Sequence, residues 1–506
     1  MVLSAVFTSG GAVMVVEILG SRLLGPFFGV GLFVWSSLLA VTLTALAAGY
    51  YVGGRLADRK PVFRQLFVLV VGAGCLVALI PLCAEYVLRS MEPLGIRWGA
   101  LSSATILLGP SLVVMGMVTT TAVRFAALDT PTAGSSVGLV YAVSTLGGLC
   151  GTLLAGFVLV PRWAVNNTLA ITAAALVAVG LTGLFLVGRA RGSSFLALAF
   201  PLFAASTPDA SGFGNIRILE RSETLLGRLA VVEDISRGTP LRLLRADHSF
   251  IGGLWVESKE PAFGFVHLLE AVHLARPQGT KLLQIGLGIG SLPMALARHS
   301  VRSDVIEIDP EVIRLAQKHF GYVSTGELYA EDARTTIRRL GGPYDFVVHD
   351  AFTGGTVPEH LLSLEVLEQL ERLLEPGGVV ALNFVGTESG PLAASTHAVH
   401  RTLRAAFDHV RVFRDGPRES TSPSLSNLVF FASNQPIQFQ PTKNFESEAC
   451  RDVLTHFQEW EVLKTADPNA ELITDARNPL ARLTLPVSEA FWEDMNRLYP
   501  PEFWVH

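Results

Sequence analysis

LLQIGLGIGSLPMALARHSVRSDVIEIDP, residues 282–310, is the stretch that decides the fold. Its first five residues, Leu282–Gly286, read as a strand buried on both faces. Glycines stand at Gly286, Gly288 and Gly290, and a helical segment, Ser291–His299, follows them. Strand, glycine loop and helix, in that order, build a nucleotide-binding α/β unit. Glycine permits the tight turn and lets a ligand come close to the main chain. A second strand, Asp304–Ile308, carries Glu307, 21 residues after Gly286. An acid at that distance is placed to accept from both hydroxyls of a ribose.

The alternation continues outward from this stretch. Strands are predicted at Gly326–Ala330, Tyr344–His349 and Val379–Phe384. Helices are predicted at Glu311–His319, Ala333–Leu340, Pro358–Leu374 and Pro391–Phe407. Repeated βα units give a parallel sheet covered on both faces. Val410–Phe413 and Leu428–Ala432, with no long helix between them, predict an antiparallel edge. The third strand ends on Glu331-Asp332, at the edge of the same crevice. Asp332 there either accepts from an adenine amino group or caps the next helix, and the two roles are compatible. The fourth strand ends on His349-Asp350. A carboxylate at Asp350 faces the reacting end of a bound ligand and can serve as a base. His349 reads as a packed strand residue.

Five segments follow from composition. Residues 1–192 are a transmembrane domain, 193–212 a linker, 213–280 a small β region, 281–435 the nucleoside-binding α/β domain and 436–506 a C-terminal extension. The β region rests on Ile216–Glu220 and Leu229–Glu233, with turns at Gly227 and Gly238. The extension holds Trp460, Trp492 and Trp504, and no function is legible in it.

Half of the 506 residues are hydrophobic, 16% are charged, and the mean hydropathy is +0.43. Soluble proteins are nearer a quarter charged. The deficit lies before residue 190. Apolar runs at about 3–22, 30–51, 66–88, 100–122, 135–160 and 168–188 are each long enough to cross a bilayer, which takes roughly 20 helical residues. Six membrane helices are predicted, with the lipid bilayer as a partner. Ser193–Ser206 is too short to add a seventh. Arg55, Arg59, Lys60, Arg64, Arg124, Arg189 and Arg191 collect on one side, against Arg22, Arg89, Arg97 and Arg162 on the other. The positive-inside bias puts the first group, both termini and the soluble half in the cytoplasm. Glu17, inside the first run, is a carboxylate at membrane depth and a candidate functional group.

A formal charge of −5 gives no electrostatic reason to expect nucleic acid as a partner. Cys75, Cys83, Cys150 and Cys450 form no CxxC pair, so no zinc site or disulfide framework is expected. His267, Glu270 and His273 share a helical face but lack a second carboxylate–histidine pair, so no metal is expected there. A homodimer is left open.

Taken together, GLGIGSLP (286–293), VIEIDP (305–310), EDA (331–333), DAFTGGTVPE (350–359) and Pro376-Gly377-Gly378 resemble the spermidine synthase family. EILGSRLLGP (17–26) and GYYVGGRLADR (49–59) are similar to its membrane-fused branch. GGRLADR (53–59) also resembles a cytoplasmic loop of major-facilitator transporters. The resemblance implies a class I methyltransferase-like fold that binds decarboxylated S-adenosylmethionine as co-substrate, without a metal. It implies aminopropyl transfer to a small-molecule amine. Glu307 would hold the ribose, Asp332 the adenine side, and Asp350 would be the catalytic base. Where the family has a second acid after that base, this chain has Thr353. Where the family has a Tyr-Gln pair, it has Leu226-Gly227, and where the family has Tyr-His-Glu, it has Gly264-Phe265-Val266. Two other readings stay open. One is an S-adenosylmethionine-dependent methyltransferase. The other is a non-catalytic membrane protein with a nucleoside-sensing domain.

Overall fold

The computed structural model describes residues 1–29, 31–59, 63–127, 133–187, 212–236, 238–247, 249–352, 356–417, 425–441, 447–499 and 503. They fall into two compact units. One is Met1–Ala210 with Glu223–Gly227, and the other is Ser211–Ser222 with Arg228–Phe503. The predicted linker up to residue 211, Ser193–Ser206 included, lies outside the described residues, and its last residue, Gly212, opens the first strand.

The first unit is helical: α1 (Val2–Phe28), α2 (Leu32–Arg59), α3 (Phe63–Met91), α4 (Gly95–Leu107), α5 (Gly109–Ala127), α6 (Ala133–Leu154) and α7 (Val165–Leu186). Among the described residues, five segments are long and apolar enough to cross a membrane: Val2–Phe28, Phe33–Arg59, Phe63–Leu107, Gly134–Arg162 and Val165–Leu186. The sequence predicts six. The difference lies at 100–122, which is not one helix but straddles α4 and α5, parted at Leu108. The 13 residues of α4 are short for a span. Three threonines, Thr119–Thr121, and Arg124 dilute the apolar character of α5.

Small residues set how closely these helices pack. A Cβ on Gly147 of α6 would lie 2.1 Å from the Phe7 carbonyl oxygen of α1, and one on Gly49 of α2 would lie 2.2 Å from the Val113 oxygen of α5. Arg124 pairs with Asp58 at 3.1 Å, so the 53–59 stretch is held against the end of α5. Glu17 is buried in α1.

The second unit contains two sheets. Strands β1 (Gly212–Phe213), β2 (Ile216–Thr224), β3 (Gly227–Asp234), β4 (Leu241–Ala246) and β5 (Ser249–Trp255) form a meander in chain order. Helix α8 (Gly264–Ala275) follows. Then come β6 (Lys281–Ile285), α9 (Ser291–Ala297), β7 (Arg302–Ile306), α10 (Pro310–Phe320), β8 (Leu328–Tyr329), α11 (Ala333–Ile337), β9 (Tyr344–His349), α12 (Leu364–Arg372), β10 (Leu374–Gly386), α13 (Ala394–Ala406), β11 (His409–Arg414) and β12 (Ser426–Ser433). The extension adds α14 (Glu448–His456), β13 (Glu461–Val462) and α15 (Leu480–Leu498).

The large sheet runs β13-β11-β12-β10-β9-β6-β7-β8. Strands β10, β9, β6, β7 and β8 are parallel, while β12 is antiparallel to both β10 and β11. The chain leaves β6 toward β7 and β8, then returns to the other side of β6 with β9. The strand order therefore reverses between β6 and β9, and a crevice opens at their carboxyl ends.

The extension is not a separate lobe. β13 pairs with β11, and Phe439 and Phe457 pack with Phe413 in one aromatic cluster. The 213–280 region likewise includes α8, whose Leu268, Leu269 and Val272 join the core beneath the large sheet.

Candidate functional site

The glycine loop is built on backbone that other residues avoid. Gly286, Gly288 and Gly290 have φ of +86°, +58° and +80°. A Cβ on Gly286 would come within 2.3 Å of the Asp350 carbonyl oxygen, and one on Gly290 within 2.4 Å of the Tyr322 ring. The first contact matters for chemistry, because the ends of β6 and β9 can meet only where there is no side chain. The Gly286 N–H donates to the Ile306 oxygen at 2.8 Å, and the Asp350 N–H donates to the Ile285 oxygen at 2.9 Å. Asp350 thus sits against the glycine loop.

Glu307 is buried, and each of its oxygens is oriented by main chain. Oε2 accepts from the Leu287 N–H at 2.9 Å, and Oε1 accepts from the Asp309 N–H at 3.0 Å. Burial pushes its carboxyl up, and these bonds work against that shift. A carboxylate oxygen can accept more than one bond, so each keeps capacity for a ligand hydroxyl. Asp332 caps α11. Its Oδ1 accepts from the Thr335 N–H at 2.9 Å, and its Oδ2 lies 2.9 Å from His360 Nε2. Burial opposes the charge, but Thr335 and His360 hold this carboxyl below its usual range. The cap expected at Asp332 is therefore present.

Burial raises the Asp350 carboxyl to about 6, even though Asn383 Nδ2 donates to its Oδ1 at 2.8 Å. Asn383, from β10, is fully buried, and its own Oδ1 has no partner among the described residues. A lone Asn inside an apolar strand gives no motif, so the sequence could not mark it. His349 is a packed strand residue, as expected. It is fully buried, its Nε2 lies 3.2 Å from the Leu361 oxygen, and burial lowers its pKa to about 4. Thr353 lies outside the described residues.

The spermine/spermidine synthase domain pattern matches residues 266–412. A polyamine aminopropyltransferase of Vibrio vulnificus is 30% identical over 234 residues, covering 44% of this chain and 76% of that protein. This chain belongs to the spermidine synthase family. The N-terminal histidine N-methyltransferase of Emericella nidulans is 32% identical over 248 residues. That match covers 44% of each chain, so this chain spans less than half of that relative's length. A probable spermidine synthase from Corynebacterium glutamicum aligns in three dimensions with a TM-score of 0.41 at 18% identity. It covers 53% of this chain and 97% of that one.

One departure from the spermidine synthase pattern now has a structural counterpart. At Gly264, where the sequence departs from Tyr-His-Glu, the space for a side chain is taken by Asp415. A Cβ on Gly264 would lie 2.4 Å from Asp415 Oδ1. Burial raises the Asp415 carboxyl to about 6. Strand β11 is parallel to β10, so Asp415, just past its end, lies on the same carboxyl edge of the sheet as Asp350. Sequence spacing could not find this residue, since Gly264 and Asp415 meet only through the fold. A further departure, Leu226-Gly227, lies where the β2–β3 turn enters β3, with Leu226 exposed in the turn and Gly227 opening the strand.

Proposed function

We propose that this protein is a membrane-anchored transferase of the aminopropyltransferase kind, using decarboxylated S-adenosylmethionine and an amine acceptor. The observation that carries the reading is Asp350, fixed beside the glycine loop with a carboxyl near 6. In this scheme Glu307 accepts from the ribose hydroxyls and the Asp332 side of the crevice takes the adenine.

The reaction is a single displacement. The lone pair of a neutral amine nitrogen attacks the aminopropyl carbon bound to sulfur. The C–S bond breaks, its electron pair goes to sulfur, and the neutral thioether leaves. The new ammonium sheds a proton, and Asp350 is placed to take it. With a pKa near 6 it is mostly ionised at neutral pH and basic enough to hold a proton briefly. The Oδ1 of Asn383, without a partner among the described residues, is suited to accept a second N–H of the attacking amine. Asp415 supplies an acid on the same edge for a further cationic group.

A second reading has its own support: the 32% identity to an N-methyltransferase, together with Thr353 and Gly264 at positions where the synthases carry polar groups. Methyl transfer would follow the same displacement at a smaller carbon. Calorimetric titration with S-adenosylmethionine and with its decarboxylated form separates the two readings. Preference for the decarboxylated form, with a propylamine adduct seen by mass spectrometry, supports the first. Preference for the carboxylated form, with a methylated amine, replaces it with the second. If both bind but no amine is modified, nucleoside sensing is left.

The five apolar segments support anchorage in a bilayer. The basic residues of the 53–64 stretch support a cytoplasmic face for that loop, and the catalytic unit shares this face when α4 and α5 together make a sixth crossing. Protease protection in sealed vesicles tests that orientation.

A further inference from the structure

Outside the glycine-loop site, α8 and α14 bring together three side chains whose chemistry the transfer reaction does not use. His267 and Glu270 are one turn apart on α8, and Cys450 comes from the first turn of α14. All three are buried, at 4%, 8% and 4% exposure. His267 Nδ1 lies 3.2 Å from Glu270 Oε1, and Cys450 Sγ lies 3.5 Å from Glu270 Oε2. One ligand atom from each residue falls within 4.8 Å of the others. The three line a cavity of about 280 Å³, together with Ser258, Glu260 and Arg298.

We propose that His267, Glu270 and Cys450 bind one divalent transition-metal ion of the zinc class, with a fourth position open to this cavity. The donor set is the first argument. Imidazole nitrogen, carboxylate oxygen and thiolate sulfur together suit a borderline-soft ion, whereas magnesium and calcium take oxygen alone. The spacing is the second. Bond lengths of about 2.0–2.3 Å in a tetrahedron set neighbouring ligand atoms about 3.3–3.6 Å apart. His267 Nδ1 and Cys450 Sγ stand 3.2 and 3.5 Å from Glu270, each at a different carboxylate oxygen, and the three ligand atoms lie within 4.8 Å, so small side-chain rotations would bring them onto one ion.

Satisfaction of the buried groups is the third. The ion partner of buried Glu270 among the described residues is His267, which is a counter-charge only when protonated, and a buried carboxylate without one is costly. The groups are thus assembled and buried beside a cavity, and an ion there would supply the charge that balances Glu270. The sequence pointed to His267, Glu270 and His273 as a helical face. The structure turns His273 away to stack on His299 and replaces it with Cys450, 180 residues distant. An ion there would tie the C-terminal extension to the helix that precedes the glycine loop.

The test uses the full chain in detergent, stripped with a chelator and titrated with cobalt(II). The wild type is expected to bind one cobalt per chain and to show a thiolate-to-cobalt charge-transfer band. Cys450→Ser should abolish the band, and Glu270→Gln and His267→Ala should each weaken binding at least tenfold. Nucleoside binding by each variant reports whether it is folded, and cobalt binding is read without any catalytic assay. A wild type with no charge-transfer band overturns the proposal. So does a band that survives in Cys450→Ser, which would assign it to Cys75, Cys83 or Cys150.

Discussion

The carboxyl of Asp350 titrates near 6 because its neighbours keep water from it and Asn383 only partly offsets that cost. If it is the base, kcat/KM for the amine should fall about tenfold per pH unit below 6, measured with saturating aminopropyl donor. Asp350→Asn should lower kcat by about 10²–10⁴-fold while calorimetry shows nearly unchanged nucleoside affinity. The same shift has a stability consequence. A carboxyl raised above its unfolded value holds its proton more tightly in the folded state. Its stabilising contribution is present below pH about 4 and is lost as pH rises through 6. Asp350→Asn should therefore raise the melting temperature at pH 8 and change it little at pH 4. Glu307 predicts the opposite division of effects. Glu307→Gln should weaken nucleoside binding by about tenfold or more, since hydrogen bonds to a charged acceptor contribute about 1.5–3 kcal/mol. Equal affinity for wild type and Glu307→Gln would remove the ribose role. These carboxylates were legible in the sequence because strand ends and loop spacing place them. Asn383 and Asp415 were not, because their positions depend on strands paired far along the chain.

Elements show how local chemistry and packing divide the work. Asp309, Asp332 and Ser363 each accept from a first-turn N–H and start α10, α11 and α12 where the sequence turns polar. Asp332 combines its cap with a bond to His360, so its two roles can be separated. Asp332→Ser keeps an oxygen at the cap and should cost well under 1 kcal/mol of stability by chemical denaturation. Loss of nucleoside affinity in that variant would assign the adenine side to the carboxylate, and unchanged affinity would leave Asp332 as a cap alone. In the helical unit the limit is space rather than hydrogen bonding. Gly147→Leu drives a side chain into the Phe7 carbonyl and should separate α1 from α6. A sharply lower unfolding temperature in detergent is expected, with no comparable loss for Gly156→Leu, where a Cβ meets nothing within 4 Å.

At the scale of the molecule, the chain divides into an apolar helical unit and an α/β unit, and the composition change near residue 190 announces that division. Within the α/β unit the extension completes the sheet edge through β13 and the Phe413, Phe439 and Phe457 cluster. A chain ending at Ser433 should therefore lose cooperative unfolding and aggregate, as monitored by light scattering, because it leaves that aromatic surface bare.

The sequence by itself determined what depends on neighbours along the chain. Periodicity marked the strands and helices, glycines at Gly286, Gly288 and Gly290 required a loop that only they permit, and apolar length marked the helices able to enter a bilayer. Tertiary structure decided what depends on distance across the chain. It split the 100–122 run between α4 and α5, drew the extension into the sheet, set Asn383 against Asp350, put Asp415 into the space left by Gly264, and carried Cys450 to His267 and Glu270. Backbone preferences and hydropathy act within a few residues and are written locally. Side-chain constellations form where separate elements bury the same surface, and no local pattern records which elements those will be.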